Sequence, residues 1–202
     1  TVRLSQRTEP TPGQAEKRPL LIPLAIGVIG PDGRECAPTR VVELSGETAE
    51  AVFEVPDTGS GADAPVLSVN RGFSAPVIVE HARTPAALTH LLAHDTDPFA
   101  RWEAGRARAV EIALARIASD APVPQDWIAA LGRVLADERL DPAFRALALE
   151  LPGEEEIARE IANRCGAADP DRIHAALMDM RASVGQGLAP ALTATYEAMA
   201  VP

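Results

Sequence analysis

Leu20, Ile22, Leu24, Ile26 and Val28 alternate along one face of a segment whose other face carries Leu21, Pro23, Ala25, Gly27 and Ile29. A period of two with β-branched residues predicts a strand, because successive side chains of an extended backbone point to opposite sides. Pro23 has no N–H to give to a ladder, so this strand is expected at an edge or bulged there. Pro31-Asp32-Gly33 predicts a tight turn with Gly33 at positive φ, and residues 34–44 return as a second strand ending in Val42 and Leu44. Ala51, Phe53 and Val55 alternate again; Val66 to Val69, Pro76 to Glu80 and Thr1 to Arg7 read as further short strands. Six or seven short strands in about 80 residues predict a small β-sandwich. Thr8 to Pro19, with three prolines and a glycine, and Asp57 to Pro65, rich in Gly, Ser and Ala, read as loops.

Near residue 83 the period changes from two to between three and four. Thr84-Pro85, Asp97-Pro98, Asp141-Pro142 and Asp169-Pro170 each place a capping side chain before a proline at the first helical position, where the missing N–H costs nothing. Apolar stripes follow: Val110, Leu114 and Ile117; Trp127, Leu131, Val134 and Leu135; Ile173, Leu177, Met180 and Val184; then Leu188, Leu192 and Met199. The expected organisation is therefore multi-domain, β then α. A small Ig-like β-sandwich over residues 1–83 precedes an all-α, helical-repeat-like lobe over residues 84–202. The helices look like stacked pairs, with no sequence repeat clear enough to name. A stack that stops at Pro202 would leave Leu188, Leu192 and Met199 as an apolar face prone to self-association.

Composition narrows the function classes. The chain has 202 residues, 47% of them hydrophobic, and a formal charge of −10; residues 1–83 carry −3 and residues 84–202 carry −7. Neither half has the basic face that phosphate neutralisation requires, and both repel anionic lipid headgroups, so nucleic acid and membrane surfaces are excluded as expected partners. No apolar run reaches the roughly 20 residues that cross a bilayer. Cys36 and Cys165 sit in different halves, which fits unpaired thiols in a reducing compartment, so a cytoplasmic location is expected. The chain opens on Thr1 with no signal peptide, as a processed or excised piece would.

Candidate chemistry is sparse. His90-Leu91-Leu92-Ala93-His94 puts two imidazoles one helical turn apart, the spacing of a metal pair, with Asp95, Asp97 or Glu103 available to complete the set. The glutamate that should follow the first histidine as general base is Leu91, and a solvated helix face explains the pair more simply. No serine sits in a Gly-x-Ser-x-Gly elbow. Cys165 ends a helix, the wrong pole for activating a thiol. Gly59-Ser60-Gly61 opens no helix and matches no phosphate loop. Glu154-Glu155-Glu156 suits the first turn of a helix, where negative charge meets the dipole. Phe99 and Trp102, two of only seven aromatics, lie three apart at a helix start. They are the residues expected to pack between domains. No catalytic, cofactor-binding or metal-binding residue is expected in this chain.

Several segments resemble bacterial aminopeptidase N. They are Thr8 to Gln14 with Lys17 to Ile26, Arg71 to Val77, Leu91 to Asp95, Asp97 to Gly105, Asp169 to Asp171 with Ile173 to Ala176, and Thr195 to Pro202. The resemblance implies the third, β-sandwich domain of a zinc aminopeptidase plus the first part of its C-terminal helical domain. That family binds zinc through His-Glu-x-x-His and a downstream Glu, and grips the substrate amine with Gly-x-Met-Glu-Asn. Here no histidine and no methionine is followed by Glu. The resemblance therefore implies a peptidase parent with zinc as its cofactor and peptides as its substrates. Within it, this non-catalytic segment would space the catalytic domain of the same polypeptide from the helical domain and help wall the active-site chamber. Two other readings compete: a free-standing sandwich-plus-helices module for protein interaction, and a small metal hydrolase using His90 and His94.

Overall fold

The computed structural model describes residues 1–56, 64–164 and 166–200. The Asp57 to Pro65 loop is thus described only at its end, and Gly59-Ser60-Gly61 and Cys165 lie outside the described residues. The chain divides into two compact units, Thr1–Ala82 with His94–Ala100, and Arg83–Ala93 with Arg101–Pro202.

The first unit contains strands β1 (Val2–Ser5), β2 (Ile22–Ile29), β3 (Glu35–Leu44), β4 (Thr48–Ala51) and β5 (Val66–Val69). β1 pairs antiparallel with β4, and β2 lies between β3 and β5, antiparallel to both. Leu24 and Ile26 of β2, Val42 of β3 and Ala51 of β4 meet Ala75 in one core, joined by Val2 and Leu4 of β1. Side chains of both sheets fill it, as in a sandwich.

Three strand expectations are corrected. β2 is a central strand, and its register irregularities fall between Ile26 and Ile29 rather than at Pro23. Pro23 is tolerated because β5 reaches only as far as Ile26, leaving Pro23 partnered on the β3 side alone, opposite Glu43. The Ala25 N–H donates to the Ser74 hydroxyl at 2.8 Å, so the stretch left open by β5 is capped by a side chain. Among the described residues five strands form rather than six or seven. Pro76 to Glu80 is not one of them: the Val77 N–H turns back to Ala75 O, and Ile78 is 91% exposed. Phe53 lies past the end of β4, packs onto the core, and carries the Arg40 guanidinium 4.7 Å above its ring. The turn at Pro31 to Gly33 forms as expected, with Gly33 at φ 79° and its N–H bonded to Gly30 O at 2.9 Å.

Gly27 is dictated by a close approach. A Cβ there would lie 2.5 Å from Arg71 Nη1 and 3.1 Å from its Cδ and Cζ. Gly27→Ala should therefore destabilise by about 1–3 kcal/mol through overpacking. The urea midpoint of unfolding should fall with an unchanged slope, and an unaltered midpoint would refute the contact.

The helices are α1 (Pro85–His94), α2 (Pro98–Ser119), α3 (Gln125–Ala136), α4 (Pro142–Ala148), α5 (Glu154–Asn163) and α6 (Pro170–Met199), and apart from His94 and the first three residues of α2 they make up the second unit. All four expected starts are capped. Thr84 Oγ1 accepts from Ala87 N, Asp97 Oδ1 from Ala100 N, Asp141 Oδ1 from Ala143 N and Asp169 Oδ1 from Asp171 N, at 2.8–3.1 Å. Trp127, Leu131 and Val134 of α3 face Ile173, Met180 and Leu188 of α6 in the core. On α2 the buried line is Ala104, Ala109, Ile112 and Ala113, and the expected stripe of Val110, Leu114 and Ile117 flanks it half-buried. Small residues let α2 sit close, so its larger apolar side chains fill the margin. α6 runs unbroken through Pro190. Leu188 is buried in the core, so the apolar face expected near its end is reduced to half-buried Leu192 and exposed Tyr196 and Met199.

Candidate functional site

The most elaborate polar arrangement lies in the first unit, on a loop whose backbone is strained. Asn70 (φ 59°), Gly72 (φ 63°) and Phe73 (φ 52°) all have positive φ around a single 3-10 turn, Arg71–Phe73. Asparagine tolerates this region, whereas a bulky aromatic does so only when its surroundings hold it there. Asn70 does much of that holding: its Nδ2 donates to Ala75 O at 3.1 Å, and its Oδ1 accepts from Ala75 N at 2.9 Å and Ser74 Oγ at 3.1 Å. The result lifts Phe73 outward, 53% exposed, with its ring 5.1 Å from that of Phe99 at 53°.

The same turn drives Arg71 inward, leaving its side chain 5% exposed. Nη1 donates to Glu35 Oε1 and Thr39 Oγ1 of β3. Nη2 donates to Asp95 Oδ1 at 3.0 Å and Thr96 Oγ1 at 2.5 Å. Thr96 Oγ1 also donates to Glu35 Oε1 at 2.7 Å, and Asp95 Oδ1 accepts the Asp97 N–H at 2.9 Å. One buried cation thus joins β3, the 70–75 loop and the 94–100 segment. Burial pulls the Arg71 pKa down, but Glu35 and Asp95 outweigh it and hold it above its ordinary value. Burial pushes Glu35 up, yet Thr96 and Arg71 leave it below the usual carboxylate range. Asp95 stays raised, because burial exceeds the opposing hydrogen bonds and the Arg71 charge.

This arrangement decides the fate of the sequence candidates. Asp95, which could have completed a metal set with His90 and His94, is spent on the Arg71 guanidinium. The His94 ring lies against Gly33, where a Cβ would collide with it. Among the described residues no group of three His, Cys, Asp or Glu side chains is placed to hold a metal. Cys36 is half-buried and unpaired, its thiol raised by burial. Glu154, Glu155 and Glu156 do open α5, and they reach His174 at 2.8 Å, Arg159 at 2.8 Å and Arg106, respectively. Phe99 belongs to the first unit and pairs with Phe73; Trp102, half-buried, belongs to the second. Sequence reasoning about catalytic groups passes over Arg71, Glu35 and Thr39. The available signal was Asn-Arg-Gly, a left-handed turn beside a lone cation between apolar strands.

In the second unit Asp137 accepts both Arg139 Nε at 2.8 Å and Arg101 Nη1 at 3.4 Å. Arg139, the largest influence, together with Arg101 brings its pKa down to about 2 against the opposing effect of burial. The unfolded value is about 3.9. A lowered carboxylate pKa contributes stability that is full above the unfolded value and is lost as pH falls through the folded one. Asp137→Asn should therefore flatten the fall in urea midpoint between about pH 4 and about pH 2. Equal slopes for both proteins would refute the assignment.

Comparison with known proteins gives concordant findings over both units. Residues 1–82 match a domain of unknown function with an Ig-like fold (DUF3458), and residues 85–202 match a domain of unknown function made of ARM repeats (DUF3458_C). The chain is 38% identical over 179 residues to aminopeptidase N of Caulobacter vibrioides, spanning 88% of this chain and 20% of that protein. It is 33% identical over 169 residues to aminopeptidase N of Escherichia coli, spanning 78% of this chain and 19% of that protein. In a crystal structure of Legionella pneumophila aminopeptidase A with aspartic acid, 21% of the chain superposes on 90% of this one, with a TM-score of 0.72 at 19% identity. The chain thus spans about a fifth of the length of the curated relatives it matches.

Proposed function

Because this chain belongs to the DUF3458_C family of ARM-repeat domains and carries the Ig-like DUF3458 domain before it, we propose that it is the non-catalytic segment of an aminopeptidase N that removes N-terminal residues from peptides. The observation that carries the reading is one continuous match to aminopeptidase N across 88% of the chain, through both units. Its role is architectural. The Ig-like unit spaces the catalytic domain of the same polypeptide from the helical domain, and the helical unit helps wall the active-site chamber. Phe99, with Phe73 beside it, and, separately, Trp102 are the residues offered for packing between domains.

Zinc in the parent would polarise the scissile carbonyl and activate water. The residues of this chain do not fit that group: the described carboxylates and imidazoles form no triple cluster, and no histidine is followed by Glu. The metal chemistry therefore belongs to the remainder of the polypeptide, which is expected in the cytoplasm. Among the described residues no helix is long and apolar enough to cross a membrane.

The test uses two proteins. The 202-residue chain alone should turn over no aminoacyl anilide and retain no stoichiometric zinc after dialysis. A Caulobacter aminopeptidase N whose matching segment is replaced by this chain should keep zinc and turnover. One equivalent of zinc with turnover in the isolated chain would overturn the reading, as would a chimera that folds yet is inactive. An open reading frame that encodes this chain alone would favour the interaction module instead.

A further inference from the structure

Residues 8–19 of the first unit take a defined shape without a core beneath them. All are exposed except half-buried Lys17. What fixes the loop is polar. Thr11 and Gln14 exchange backbone hydrogen bonds at 2.9 and 3.2 Å around Gly13, which has φ 80°. The Lys17 ammonium donates across that turn to Thr11 Oγ1 at 2.8 Å and Gln14 Oε1 at 2.6 Å. Gln6 ties down the far end: its Oε1 accepts the Leu20 N–H at 2.9 Å, and its Nε2 donates to Leu20 O and Gly46 O, both at 2.8 Å. Compact surface loops held by their own side chains are frequent recognition elements. A loop already fixed in this way loses little freedom when a ligand arrives.

Between this loop, the end of β1 and the start of β4 lies an open groove of about 360 Å³. Three cations line it: Arg7, Lys17 and Arg18. The hydroxyls of Ser5, Thr8 and Thr48 join them, and Glu47 is the one carboxylate of the lining. Residues 1–20 carry four basic and two acidic side chains, so this corner is positive in a chain of charge −10. The three cations are not equally committed. Arg7 Nη2 is bound to Glu9 Oε1 at 2.8 Å. Lys17 spends two of its three ammonium hydrogens inside the loop, which fixes its charge at the groove. Among the described residues Arg18 has no ion pair.

We propose that this groove binds a small phosphate, either inorganic phosphate or a monoester. Arg18 is its main ligand, the remaining hydrogen of Lys17 lies beside it, and the hydroxyls of Ser5, Thr8 and Thr48 are the neutral donors. Three cations against one carboxylate leave the lining with the charge that a phosphate dianion cancels. The donors come from three parts of the chain: β1, the loop and β4. A tetrahedral group, with acceptor oxygens on every side, can meet donors so dispersed, whereas a planar carboxylate offers two oxygens at one end. The guanidinium fork of Arg18 suits phosphate in particular, because it can engage two oxygens at once. The groove is larger than one oxyanion fills and sits at the small end of ligand sites, so it has room for an ester group. Glu47 opposes the ligand and limits its affinity.

The test is calorimetric titration of the full 202-residue chain, with backbone amide shifts read by NMR. Mildly alkaline pH makes phosphate a dianion, and low ionic strength leaves surface charges least screened. Inorganic phosphate and glycerol phosphate should each saturate one site, and the tighter of the two identifies the source. Acetate should bind about tenfold more weakly. Arg18→Gln should weaken phosphate binding roughly fivefold, and Glu47→Gln should tighten it roughly threefold. Both side chains are exposed, so both variants fold. Arg133→Gln makes the same charge change at an exposed position of the second unit and should alter nothing. The amides that shift on saturation should be those of residues lining the groove. Acetate as tight as phosphate, equal losses in the Arg18 and Arg133 variants, or shifts centred elsewhere would overturn the site. So would a tetraglutamate peptide that saturates the groove when neither phosphate does, since the occupant would then be an acidic polypeptide.

Discussion

Arg71→Met should lower the stability of the Ig-like unit by about 3–5 kcal/mol, the cost of stripping one partner from a buried ion pair. The side chain of Asp95 is fully buried and that of Arg71 5% exposed, so the carboxylate left behind has no water to turn to. Thr39 and Thr96 lose their donor as well. For a unit of this size the melting temperature should drop by roughly 12 °C or more. The double variant Arg71→Met/Asp95→Leu separates the two parts of this loss. It removes the stranded charge and should recover part of the stability, because an apolar replacement of a whole buried pair is often tolerated. A double variant whose loss equals the sum of the two single losses would show that Arg71 and Asp95 are not coupled.

A chain ending at Ala82, the limit of the Ig-like family match, should show no cooperative unfolding at all. Such a cut keeps all five strands but removes His94–Ala100, which belongs to the same compact unit. With it go Asp95 and Thr96, two of the four partners of Arg71, and the Phe99 ring that faces Phe73. A domain of about 80 residues buries little more than 60% of its unfolded surface and has a few kcal/mol to spare, so this loss is not survivable. Circular dichroism through a urea titration decides it. A sharp transition at the midpoint of the intact unit would mean that residues 94–100 add nothing.

The helices were the most legible part of the sequence. Each Asp-Pro or Thr-Pro start encodes its own cap within four residues, so nothing distant is needed to read it. The strands were legible where a partner enforced the alternation, as in β2 and β5. Pro76 to Glu80 has the same alternation, but among the described residues no strand lies beside it, and periodicity cannot report the absence of a neighbour. Pro23 misled for a related reason: whether a strand is an edge depends on how far its partners extend, and β5 stops short. The Arg71 cluster was hidden by distance along the chain, since Glu35 and Asp95 lie 36 and 24 residues away. Two stretches picked out by their resemblance to aminopeptidase N, Arg71 to Val77 and Leu91 to Asp95, nevertheless meet in it. Their shared wording recorded a contact before the fold explained it.

The seat of the Arg71 guanidinium over the bare Cα of Gly27 ties two distant positions into one heritable unit. A side chain cannot enter at position 27 while a long one lies across it, and a short residue at 71 leaves Asp95 without its cation. Descendants of this sequence should therefore keep glycine at 27 wherever 71 is arginine. Lineages that abandon one should have abandoned the other, and then lost the acid at 95.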